Sequence, residues 1–66
     1  MKKRSVRIAG HTTSLSLEDE FWEELKSIAT RENKSLQQLI TDIDATRGDQ
    51  NLSSALRVFV LKTIKS

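Results

Sequence analysis

Six residues, Thr12-Thr13-Ser14-Leu15-Ser16-Leu17, constrain this chain more than any others. They alternate polar with apolar and are rich in hydroxyl and β-branched side chains, the pattern of a strand with one dry face. Leu15 and Leu17 point one way, with Thr13 at their margin, while Thr12, Ser14 and Ser16 point the other. A lone strand of this length is unstable, because its backbone donors and acceptors need a neighbour. With one strong strand per chain, the simplest neighbour is the same strand of a second copy. Antiparallel pairing about a two-fold axis then closes a symmetric dimer. Val6, Arg7 and Ile8 either extend the strand or form a short one of their own, with Gly10 as a bend; the pattern leaves both open.

Size points the same way. A 66-residue chain is one domain with a marginal core, and mini-domains of this kind lean on disulfides, a metal or a partner chain. There is no cysteine, and the single histidine, His11, cannot build a histidine-rich site. No metal and no cofactor is expected. Oligomerisation is the remaining support.

Three helices are predicted. From about Glu18 to Glu32, Phe21, Trp22, Leu25, Ile28 and Ala29 fall on one helical face, and Glu18, Asp19 and Glu20 crowd the first turn against the helix dipole. Asn33-Lys34 breaks the pattern, since Asn tolerates the left-handed conformation that ends helices. Ser35 is a good N-cap, with Gln38 three residues on completing a capping box, and Leu36, Leu39, Ile40 and Ile43 carry the second helix to about Thr46. Arg47-Gly48-Asp49-Gln50 is turn chemistry. The third helix starts after Asn51 and spans 52–65, with Leu52, Ala55, Leu56, Val58, Phe59, Val60, Leu61 and Ile64 leaving little polar face. A helix apolar nearly all round is buried on several sides, and a second subunit supplies that burial.

Charge divides the chain unevenly. Residues 1–17 hold Lys2, Lys3, Arg4 and Arg7 and no acid, whereas the remainder holds seven Lys/Arg against nine Asp/Glu. Residues 1–11 therefore read as a basic N-terminal arm on a near-neutral domain, 12–66, and a dimer carries two such arms. This suits a polyanion. The unpaired N–H groups at the start of the second helix form an anion site at Ser35, and Lys34 adds a mobile charge beside it. Lys3, Arg4, Arg7, Lys34 and Ser35 are the expected phosphate contacts. A two-stranded ribbon fits the major groove of B-DNA. No apolar run is long enough to span a bilayer, and Ser5–Leu17 contains no continuous apolar stretch of a signal peptide, so a cytoplasmic location is expected.

In this order and spacing, Thr12–Ile43 resembles the ribbon-helix-helix family of Arc, MetJ and CopG-type repressors. The matching pieces are T-S-L-S-L in the strand, F-W-x-x-L-x-x-I-A in the first helix, the Asn33-Lys34 turn, and S-L-x-x-L-I in the second helix. The whole chain is similar to a bacterial subgroup with I-A-G-H before the strand, F-W early in the first helix and N-L-S-S-A-L-R-V-F-V-L at the end, here Ile8–His11, Phe21-Trp22 and Asn51–Leu61. The resemblance implies a mainly α fold with one strand per chain, paired between subunits into a β-ribbon, plus the extra helix 52–65. It implies a homodimer that binds double-stranded operator DNA and represses transcription, with Thr12, Ser14 and Ser16 facing bases. Leu15, Leu17, Phe21, Trp22, Leu25, Leu39, Ile40 and Phe59 are the expected dimer core. Ribbon readers commonly place Arg, Lys, Asn or Gln on the outer face. This strand offers only short hydroxyls, which bond several base edges and discriminate weakly.

No enzyme is expected. His11 has no cysteine partner and follows a glycine in a basic arm, and the Glu18–Glu20 and Glu23-Glu24 cluster reads as dipole compensation. Trp22 beside Phe21 belongs to a core or an interface rather than a base-stacking platform. A second class of function, motivated by the apolar breadth of helix 52–65, is a dimeric protein-interaction module or an antitoxin-like adaptor without strong operator recognition.

Overall fold

A computed structural model describes residues 2–8 and 10–65. It contains two strands and three helices: β1 Lys2–Ile8, β2 His11–Leu17, α1 Asp19–Arg31, α2 Leu36–Thr46 and α3 Leu52–Lys65. The first difference from expectation lies in the strands. β2 does not stand alone, because β1 pairs with it antiparallel in a hairpin of the same chain, with Arg4 opposite Leu15 and Arg7 opposite Thr12. The chain reverses between Ile8 and His11, where Gly10 holds a φ of +81°, a backbone angle that a residue with a Cβ adopts only under strain. The basic lead is thus a strand over most of its length, and Val6–Ile8 belong to that separate strand.

Side chains alternate across a strand, and the register fixes which residues share a face. Val6 and Ile8 of β1 and Leu15 and Leu17 of β2 are buried against the helices. They join Trp22, Leu25, Ile28 and Ala29 of α1, Leu39, Ile40 and Ile43 of α2, and Ala55, Leu56 and Val60 of α3. No polar side chain is buried among the described residues. α2 lies against β1, and Gln37 Nε2 donates to the Arg7 carbonyl, tying that helix to the hairpin.

The helices begin and end for local reasons. After α1, Asn33 takes a φ of +57° and Lys34 N–H closes back on the Ala29 carbonyl at 2.9 Å. Ser35 Oγ accepts from the Gln38 N–H at 3.1 Å, one half of the expected capping box. The other half is not formed: the Gln38 amide turns along the helix and donates to Asp42 Oδ1 at 2.8 Å. Asn51 Oδ1 caps α3 through the Ser53 and Ser54 N–H groups. Within the single chain α3 buries one side only, and Val58, Leu61 and Ile64 are 38%, 46% and 56% exposed. No described helix is long and apolar enough to cross a membrane.

Candidate nucleic-acid interface

The side of the hairpin turned away from the helices is the candidate interface. Because cross-strand partners share a face, Lys3 stands with Ser16, Ser5 with Ser14, and Arg7 with Thr12. All six are exposed except the half-buried Ser16. The expected base-facing residues Thr12, Ser14 and Ser16 are brought together as one row. Beside them, about 4.8 Å away across the ladder, runs a second row from the same chain. Ser5 is a member of that row that sequence patterning did not single out; its signal was the alternation Lys3, Ser5, Arg7 between the apolar Val6 and Ile8.

The expected phosphate residues do not behave as one set. Arg4 points to the inner side of β1, where its guanidinium lies 4.6 Å from the centre of the Trp22 ring and Nη2 donates to Asp19 Oδ1 at 3.3 Å. Stacking of this kind holds the guanidinium plane over an aromatic face. Lys34 is engaged as well, 2.8 Å from Asp42 Oδ2 and 3.6 Å from Glu32 Oε1. Its hydrogen bond to Asp42 raises the ammonium's pKa, against partial desolvation. The same bond, with a second from Gln38, holds the Asp42 carboxyl below its ordinary value. Lys3 and Arg7 differ: they are exposed and make no ion pair among the described residues. Ser35 is exposed at the start of α2, its hydroxyl oxygen occupied by the Gln38 N–H.

The expected dimer-core residues lie within the core of one chain. Leu15, Leu17, Trp22, Leu25, Leu39 and Ile40 are buried there, and Phe21 and Phe59 are half-buried against it. A contact that sequence patterning did not reveal fixes the junction of sheet and helices. Arg57 of α3 grips Glu18 through Nε to Oε1 at 2.8 Å and Nη2 to Oε2 at 3.4 Å, a two-pronged pair between residues 39 positions apart. Its hydrogen bonds hold the Glu18 carboxyl below its ordinary value. Glu18 precedes α1 without capping it through its side chain, because the carboxylate is turned toward Arg57. His11 is exposed at the strand turn, and the described residues contain no cluster of metal-ligating side chains.

Comparison with curated proteins and with solved structures returned no match for this chain. The family model of the ribbon-helix-helix domain matches residues 1–64, and with a two-stranded antiparallel sheet followed by helices in the order found here, the chain belongs to the ribbon-helix-helix domain family.

Proposed function

We propose that this chain is a homodimeric, sequence-specific DNA-binding protein that represses transcription by seating its β-ribbon in the major groove. Its family is one of DNA-binding transcription regulators whose members dimerise. The observation that carries the reading is the outer hairpin face, where a hydroxyl row of Thr12, Ser14 and Ser16 lies beside the exposed cations Lys3 and Arg7, which make no ion pair among the described residues. A second copy joins along the edge of β2 that β1 leaves open, so that the two Thr12–Leu17 segments meet about a two-fold axis. Lys3, with Lys34 and the Ser35 helix start, lies toward phosphates; Thr12, Ser14 and Ser16 lie toward bases. Arg4 serves the fold through Trp22 and Asp19, and joins the phosphate set only if that stack opens. The reading implies no cofactor, no catalysis and a cytoplasmic site of action.

The test is selection of bound duplexes from a random pool, followed by sequencing. A two-fold symmetric site with half-sites on one face of the duplex is the expected product. A pool that stays random after repeated selection contradicts sequence-specific binding.

The open stripe of Val58, Leu61 and Ile64 supports a second reading, a dimeric interaction module whose α3 holds a protein partner, as an antitoxin-like adaptor would. Leu61→Asp separates the two. It leaves duplex binding intact in the first reading and abolishes a stoichiometric protein complex in the second.

A further inference from the structure

β2 alone lacks the side chain that a major-groove reader needs. Short hydroxyls bond several base edges, and strong discrimination comes from a bidentate donor such as Arg on guanine O6 and N7. The hairpin places such a donor beside the row. Arg7 is directly opposite Thr12 on the outer face, next to the turn, and is exposed. The other arginine of β1, Arg4, is turned inward onto Trp22 and Asp19, so the two are not interchangeable. Arg7 makes no ion pair among the described residues, leaving its planar fork free for a ligand. Its backbone is held in the ladder, where it pairs with Thr12. A donor on a rigid element loses little freedom on binding, which favours specificity over a flexible charge. Lys3, at the far end of the same row, carries a compact ammonium that suits a phosphate but makes no bidentate fork.

We propose that Arg7 is the specificity-determining residue of the interface, its guanidinium reading a guanine edge in each half-site while Thr12 beside it contacts the neighbouring base. This rests on the DNA-binding reading above and names the group that gives it selectivity. The test uses duplexes selected by the wild-type chain, each G·C pair then exchanged for A·T one at a time. Affinities for Arg7→Lys, Arg7→Ala and Lys3→Ala are measured across a salt series, with circular dichroism confirming unchanged helix content. In the wild type, one G·C pair per half-site is worth roughly 5- to 150-fold in affinity. Arg7→Lys removes that preference while keeping most of the salt dependence, and Lys3→Ala weakens all duplexes alike. If Arg7→Ala weakens every duplex equally and flattens the salt slope, Arg7 is a phosphate contact and the proposal is overturned while DNA binding stands. Unchanged preference in both Arg7 variants also overturns it. Absence of any salt-dependent binding by the wild type overturns the DNA-binding reading itself, and this proposal with it.

Discussion

Two arginines three residues apart in one strand have opposite fates, and alternation decides them. Arg4 takes the inner side and finds Trp22 and Asp19; Arg7 takes the outer side and finds solvent. The acidic side chains show the same sorting. Glu18 is committed to Arg57 and Asp42 to Lys34 and Gln38, and these hydrogen bonds hold both carboxyls below their ordinary values. A carboxyl whose pKa is lower folded than unfolded stabilises the fold fully above the unfolded value, and that contribution is lost as pH falls through the folded one. The melting temperature is therefore expected to drop below about pH 4, the ordinary carboxylate range. Thermal unfolding followed across the acid range checks this: the double variant Glu18→Gln, Asp42→Asn should start lower at neutral pH and fall less steeply on acidification. Lys34 contributes in the reverse sense, below its unfolded pKa, and this is lost only at strongly alkaline pH as its raised value is passed. The Ser35 cap is a smaller local matter. Ser35→Ala removes one acceptor from the start of α2 and should cost about 1 kcal/mol in urea unfolding.

Among the elements, the helices were legible and the first strand only in part, as one of two readings left open for Val6–Ile8 with a bend at Gly10. Period 3.6 in Phe21–Ala29 and in Leu36–Ile43 located α1 and α2, and Ser35 and Asn51 marked the starts of α2 and α3, because these signals are local. The rest of β1 stayed hidden because its inner face holds only two buried aliphatic residues, with an arginine at the next inward position. An inward arginine reads as a break in a strand pattern unless a ring and a carboxylate are known to meet it, and Trp22 and Asp19 come from another element. The charge of Lys2–Arg7 also favoured a solvated arm. Once β1 exists, the candidate site changes with it, since Lys3, Ser5 and Arg7 can share a face with β2 only through the hairpin register. The turn is the sensitive point. At Gly10 a Cβ would meet no atom within 4 Å, so any loss on substitution comes from the backbone angle alone. Gly10→Val should destabilise the hairpin by about 1–2 kcal/mol, read as a lower denaturation midpoint. Leu17, fully buried beneath the sheet, belongs to the larger class, and Leu17→Ala should cost about 2–5 kcal/mol.

At the scale of the molecule, the chain closes more of its own core than its length suggested. β1 extends the sheet and the three helices cover its inner face, so a second copy is not needed to bury Leu15 and Leu17. What still asks for a second copy is the strand edge beyond β2. Dimerisation therefore implies an unfolding midpoint that rises with protein concentration, measured by thermal denaturation over roughly a hundredfold range. A midpoint independent of concentration together with a monomer mass contradicts it. Everything proposed for this chain turns on whether the outer hairpin face meets the DNA backbone and grooves. Fluorescence anisotropy of a labelled selected duplex, titrated at several salt concentrations, addresses that point most directly. The expected result is a log affinity that falls linearly with log salt, with a slope flattened by about 2 in the Lys3→Ala dimer, because each subunit then neutralises one phosphate fewer. Binding absent at low salt, or a slope untouched by Lys3→Ala and Arg7→Ala together, would contradict it.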